Sequence, residues 1–257
     1  MLLSASRIKG LKLHALDGEL GKVLDVLFDD HTWTVRYYVV RAGGWLENRQ
    51  VLISPACVGR PSWDDRVLPV KLTQEQIRNS PDIDTEKPVS RQREIDLVNY
   101  YGWPAYWEVP YTGAGPIAVP AARPYSAPKE TEEEPSAEEK AYDPHLRSLL
   151  EVRDYRIHAQ DGDIGHLEDL LIDDASWTIH YIVVNTRNWL HGRFVLVSPL
   201  WSHDIDWRTR RIAVDVLKHA LKSAPLYDPN VPITREFEQE IFEHYRKERS
   251  QTAAATP

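Results

Sequence analysis

The chain has 257 residues, 42% hydrophobic and 27% charged, with a net charge of −8 and a pI near 5.7, the profile of a globular protein with one large core or two small ones. No apolar run approaches the roughly 18 residues of a spanning helix, and Met1-Leu2-Leu3-Ser4-Ala5-Ser6-Arg7 lacks the apolar stretch of a secretory leader, so a cytoplasmic protein with no membrane span is expected. A single cysteine, Cys57, excludes an internal disulfide and a thiolate metal site, and the acidic balance argues against DNA as a partner.

In chain order, Leu11 to His14 followed by Asp17-Gly18 reads as a strand entering a tight turn, and Gly21 to Phe28 as the strand that leaves it. Asp29-Asp30-His31-Thr32 then turns the chain into a third strand, where Val35, Tyr37 and Val39 share a face at period two. A fourth strand is expected at Arg49 to Ile53 and a fifth around Arg66 to Leu72. Thr73 with Gln76 forms a capping-box pattern that opens a short helix before Pro81, and a second helix begins after Ser90.

The same order returns later. Leu13 to Tyr101 aligns with Ile157 to Tyr245 at a constant offset of 144 residues without a gap. His14-Ala15, Asp17-Gly18, Gly21, Asp25, Asp29-Asp30, Trp33-Thr34, Tyr37, Trp45-Leu46, Arg49 and Ser54-Pro55 all recur, as His158-Ala159 through Ser198-Pro199. In the second copy the last helix is expected over Arg235 to Arg249, with Phe237, Ile241, Phe242 and Tyr245 facing inward. Between the copies, Pro104 to Pro144 holds eight of the eighteen prolines, and Lys129 to Lys140 holds six Glu against two Lys, half of the chain's net charge. Such a stretch is read as an extended tether. The organisation expected is a first domain at 1–103, a Pro/Glu-rich linker at 104–144, a second domain at 145–249 and a disordered tail at 250–257. The fold class is mainly β: two small barrels with short C-terminal helices, joined by the linker.

Three stretches carry a family resemblance: Asp17-Gly-Glu-Leu-Gly-Lys-Val-Leu-Asp25-Val-Leu-Phe-Asp-Asp30, Trp33-Thr-Val-Arg-Tyr37-Tyr-Val-Val40 and Arg49-Gln-Val-Leu-Ile-Ser-Pro55. Together with their second-copy counterparts they resemble the PRC-barrel family, known from the cytoplasmic domain of the photosynthetic reaction-centre H subunit and the C-terminal domain of a ribosome maturation factor. The resemblance implies a non-enzymatic protein-binding or scaffolding module without a cofactor. Its alternatives are an RNA- or ribosome-associated factor and an accessory to reaction-centre electron transfer. The sequence departs from the H subunit in lacking a membrane helix, and from the maturation factor in lacking a second RNA-binding domain type.

Asp25 and Asp169 stand between apolar neighbours at period two, so each is expected to be a buried structural carboxylate. Backbone N–H groups, the Tyr37 or Tyr181 hydroxyl, or Arg49 or Arg193 are the candidate partners that would offset the loss of hydration. The repeated Asp pairs at 29–30 and 173–174 suit turn chemistry better than a cation site, because no glycine-spaced loop with a distal Glu follows them. His14 and His158 lie near Asp17 and Asp161 without a recurring nucleophile. The candidate binding or docking residues are Trp45, Arg49, Trp103, Trp107, Trp189 and Arg193, since exposed Trp and Arg favour binding hot spots. Trp103 and Trp107 belong to an aromatic run, Tyr100 to Trp107, that would dock one unit on the other, bind a partner protein or, least favoured, stack on RNA bases. A homo-oligomer is a further expectation.

Overall fold

A computed structural model describes residues 1–43, 49–81, 91–103, 146–186, 193–206 and 208–255. The first half contains β1 (Leu2–Ser4), α1 (Ala5–Ile8), β2 (Lys12–Ala15), β3 (Gly18–Asp29), β4 (Thr34–Ala42), β5 (Gln50–Ile53), β6 (Val67–Pro69), α2 (Gln74–Arg78) and α3 (Arg91–Tyr101). The second half contains β7 (Leu146–Ser148), α4 (Leu149–Val152), β8 (Arg156–Ala159), β9 (Gly162–Asp173), β10 (Ile179–Asn185), β11 (Phe194–Val197), β12 (Ser202–Asp206), β13 (Arg211–Val214), α5 (Lys218–Ser223) and α6 (Arg235–Ala255). The protein is mainly β, with two sheets. One has the order β5-β4-β3-β2-β6 with β7 added to β3, and the other β11-β10-β9-β8-β13-β12 with β1 added to β9.

The added strands set the boundaries of the two compact units. The first unit comprises the described residues of Arg7–Ser148 together with Ala175–Trp177, and the second those of Met1–Ser6, Leu149–Asp174 and Thr178–Pro257. Each unit therefore draws a strand from the stretch that precedes the other copy, a partition that differs from the domain limits of 1–103 and 145–249. Strand length explains why. In the first unit β2 pairs with β3 from Gly18 to Lys22, which leaves the far half of that edge with main-chain groups to satisfy. There β7 aligns Ser148, Arg147 and Leu146 with Leu27, Phe28 and Asp29. In the second unit β8 stops at His166 on β9, and β1 aligns Ser4, Leu3 and Leu2 with Leu171, Ile172 and Asp173.

Neither ladder path closes into a ring among the described residues, so the closed barrel expected from the strand count is seen as an open path. In the second unit its two end strands, β11 and β12, are consecutive in sequence and separated by a single 3-10 turn at Pro199–Trp201. Inside the sheets, Leu13, Phe28, Tyr38, Val40, Leu52 and Ile53 are fully buried in the first unit, as are Ile157, Leu167, Leu170, Ile172, Ile182 and Val184 in the second.

A bulge interrupts both long strands, between Val23 and Asp25 and between Leu167 and Asp169. The extra residue breaks strict alternation. β3 has a second irregularity between Leu27 and Phe28, and Val23, Asp25, Val26, Leu27 and Phe28 are all buried, where strict period two with one covered face would expose every second one. The Thr73–Gln76 capping box is present, with Thr73 Oγ1 accepting from the Gln76 amide at 3.2 Å and Gln76 Oε1 accepting from the Thr73 amide at 2.8 Å.

The last helix differs from expectation in two ways. Phe242 is 59% exposed, whereas Ile241 and Tyr245, one turn apart, are buried. At 100° per residue, Phe242 lies a quarter-turn off that face. The helix also continues to Ala255 instead of ending before a disordered tail at 250. Ala253, Ala254 and Ala255 are the strongest helix formers, so composition read as unstructured instead propagates the helix.

Candidate functional site

Trp45, Trp107 and Trp189 lie outside the described residues. Trp103, a candidate binding or docking residue, is 6% exposed and belongs to the core of the first unit. Its indole N–H donates to Cys57 Sγ at 2.9 Å, and its ring stacks on Tyr101 with centroids 4.3 Å apart and planes 11° from parallel. The second unit solves the same packing problem from another element. Trp201 stands at the position of Cys57, and it packs at 4.7 Å on Tyr245, which stands at the position of Tyr101. Each unit thus sets one indole beside its helix tyrosine, a buried one supplied after the helix in the first unit and a half-buried one from the 3-10 turn in the second.

Arg49 donates from Nη1 to the Arg78 carbonyl at 2.7 Å and from Nη2 to the Ser80 carbonyl, a cation on the last carbonyl of α2 and on one two residues beyond it. Arg193 is exposed.

The repeated carboxylates are engaged in holding the chain's main elements. Asp17 Oδ1 accepts from the Gln74 amide at 2.8 Å, and Asp161 Oδ1 from the Lys218 amide at 2.7 Å, each at the start of the short helix after the sheet. Asp25, 8% exposed, accepts from the Val26 amide at 2.8 Å and from the Ser148 hydroxyl on β7. Asp169 accepts from the Leu170 amide at 2.8 Å, the Ser6 amide at 3.0 Å and the Ser4 hydroxyl on β1 at 2.5 Å. Burial pushes the Asp169 carboxyl above its usual range, against the lowering effect of these donors. The two serines are the site residues that sequence reading missed. Ser4 and Ser148 are also 144 residues apart, so the repeat extends upstream of Leu13 to the strands that close the sheets.

The neighbouring acidic pair has divided roles. Asp29 Oδ1 accepts from the His31 and Thr32 amides at 3.0 and 2.7 Å, and Asp29 Oδ2 lies 3.3 Å from Arg36 Nη2. Asp30 Oδ2 accepts from Arg147 Nε on β7 at 2.8 Å, with both side chains largely buried. Burial acts to raise the Asp29 carboxyl, but the Thr32 amide, the Arg36 guanidinium and the His31 amide hold it below its ordinary 3.8. A carboxyl depressed by folding contributes stability that is present above its unfolded value and lost as pH falls through the lower folded value. Asp29→Asn is therefore expected to remove part of the first unit's loss of stability as pH falls below 3.8, read as a smaller shift in urea midpoint than the native chain shows.

Among the described residues no cluster of three or more His, Cys, Asp or Glu has metal-site geometry. His158 Nδ1 lies 2.5 Å from Asp163 Oδ1, in a group completed by Arg211 at 3.3 Å and Arg156 at 4.0 Å from Asp163 Oδ2. The His158 bond and the two guanidiniums hold Asp163 below its usual range despite some burial. Burial pushes the Cys57 thiol to about 11, against the opposing hydrogen bond from Trp103. The thiolate is the reactive form, so Cys57 is expected to resist a thiol reagent at neutral pH until the chain is denatured. Rapid modification of the native protein, followed by absorbance, would show that the thiol is accessible.

Among the described residues no helix is long and apolar enough to cross a membrane. No curated protein matches the chain. A PRC-barrel domain is found at residues 2–76, a span that runs from β1 into α2 and takes in Ser4, Asp25, Asp29, Asp30 and Arg49.

Proposed function

We propose that the chain is a non-enzymatic protein-binding or scaffolding module of two PRC-barrel-like units, joined through the 104–144 linker and acting in the cytoplasm. The reading of the second unit as a further PRC-type unit is supported by its sheet, which repeats the strand order of the first, and by its bulge and helix-capping Asp at the 144-residue offset.

The observation that carries the binding role is the edge of each long strand, which takes in a three-residue segment from far along the chain, Leu146–Ser148 on β3 and Leu2–Ser4 on β9. Adding an extended segment to a sheet edge is a general mode of protein recognition, in which the main chain supplies affinity and side-chain contacts supply selectivity. The repeated carboxylates support this role over acid–base chemistry, because they engage backbone amides, serine hydroxyls and arginine. Trp45, Trp107, Trp189 and Arg193 are the residues proposed to touch a partner.

Affinity capture of the intact chain from its native cells, with cross-links mapped to residues, tests the reading. The expected result is a protein partner retained at raised salt. Salt-sensitive recovery of RNA or ribosomal subunits would favour the RNA-associated alternative, since phosphate contacts weaken steeply with ionic strength. Recovery of reaction-centre subunits would favour the electron-transfer alternative, and no protein enriched over a tag-only control would contradict the proposal.

A further inference from the structure

One row of directly opposed residues across the first sheet concentrates positive charge on an acidic chain. Lys12 on β2 aligns with Lys22 on β3, Lys22 with Arg41 on β4, and the row ends at Gln50 on β5 and Val67 on β6. Opposed residues share a face, so three exposed cations stand side by side at a strand separation of about 4.8 Å. Exposed Lys9 and Arg66 flank them: Gly10, next to Lys9, donates its amide to the Val23 carbonyl, and the Arg66 carbonyl accepts from the Lys12 amide. Among the described residues, Glu19, 3.2 Å from Lys12 Nζ, is the one carboxylate that pairs with the row. Like charges set directly opposite destabilise a sheet.

The fold does not require this arrangement. The second sheet repeats the register at the 144-residue offset, with Arg211, Arg156, His166, Asn185 and Phe194 in the row. There Asn185 replaces Arg41, and carboxylates answer the cations. Asp163 Oδ2 lies 3.3 Å from Arg211 and 4.0 Å from Arg156, while Glu168 lies 2.7 Å from Arg153, 3.6 Å from His166 and 3.1 Å from Asn185 Nδ2. The first unit has Leu24 where the second has Glu168. Repulsion that the second unit relieves and the first retains is the mark of a face kept positive for a negative partner.

We infer that the Lys12–Lys22–Arg41 row is a docking face for an acidic segment of a partner protein, one that presents successive carboxylates along one side. Carboxylates three or four residues apart on a helix stand about 5–6 Å apart, close to the strand separation. Nucleic acid fits less well, because single-strand sites join cations to aromatic platforms, and the other members of the row are Gln50 and Val67. Trp63, in the turn before β6, is already covered by the Arg7 guanidinium, 4.9 Å from its ring. The inference rests on the protein-binding reading for the class of partner. It adds a face that steers and orients that partner through an attraction that weakens with salt.

Fluorescence anisotropy of a labelled oligoglutamate peptide with the full chain tests it. The peptide is expected to bind at low salt and to be released as salt rises. Lys22→Gln combined with Arg41→Gln is expected to weaken binding about tenfold, whereas Arg153→Gln combined with Arg156→Gln in the second unit leaves it unchanged. Equal losses from the two pairs, or tighter binding of an RNA oligonucleotide of the same length, overturns the inference. Binding that emerges only after the six Glu of the Lys129–Lys140 run are changed to Gln assigns the row to the chain's own acidic run, and overturns it too. A second measurement needs no ligand: Lys22→Gln is expected to raise the urea midpoint at low salt, with the gain closing as salt screens the row. An unchanged or lowered midpoint overturns the premise of repulsion. A chain that captures a protein from cells yet ignores the peptide overturns this inference and leaves the protein-binding reading standing.

Discussion

Replacing Leu3 by Ala is expected to destabilise the second unit by about 2–4 kcal/mol, the range for truncating a buried leucine, although residue 3 lies at the start of the first repeat. Leu3 is 3% exposed, aligns with Ile172 on β9 and belongs with residues 149–174 and 178–257. The loss combines the transfer free energy of the removed methyl groups with the void they leave. It also loosens the strand that places Ser4 against Asp169. Hydrogen exchange resolved by peptide is the appropriate reading: protection is expected to fall along β9 near Leu170–Asp173 and to persist in β3. A uniform fall in β3 alone would mean that β1 closes the sheet of its own repeat.

The second large effect is expected at Gly165. Its φ is +65°, a region that costs other residues free energy, and a Cβ there would lie 2.0 Å from the Asn185 carbonyl oxygen on β10. Backbone must move to admit even a methyl group, so Gly165→Ala is expected to cost about 3 kcal/mol or more from the combined strain and overpacking. Gly21 repeats the contact in the first unit, with a Cβ that would lie 1.9 Å from the Arg41 carbonyl oxygen. Gly21→Ala should therefore weaken the first unit as Gly165→Ala weakens the second. Urea unfolding of the two variants checks both, and an unchanged midpoint for either would show that the close strand approach is relaxed in solution.

Local chemistry made much of the fold legible. Asp17-Gly18 marks a real turn, Thr73 and Gln76 cap a real helix, and the strands read from Gly21 and Gly165 fall within the longer strands Gly18–Asp29 and Gly162–Asp173. The need of Asp25 for partners was also legible, because a carboxylate among Val and Leu must be bonded. Its hydroxyl partner was not. Tyr37 and Arg49 are close in sequence and were natural choices, whereas Ser148 lies 123 residues away on a strand too short to show a period. A repeat unit read by alignment is assumed to be self-contained, and that assumption hides the exchange of β1 and β7. Trp103 shows a related limit: its aromatic neighbourhood pointed to docking or binding, whereas its indole bonds Cys57 46 residues back and stacks on Tyr101 within its own unit. Asp30 looked like turn chemistry beside Asp29 until its ion pair with Arg147 gave it a separate role.

The central claim is that each sheet is completed by the strand preceding the other repeat. Cross-strand nuclear Overhauser effects in the intact chain measure this directly. The account predicts contacts between Arg147 and Phe28 and between Leu3 and Ile172, the register partners in the two sheets. Contacts between Leu3 and Phe28 and between Arg147 and Ile172 would show each repeat closing its own sheet and would contradict it.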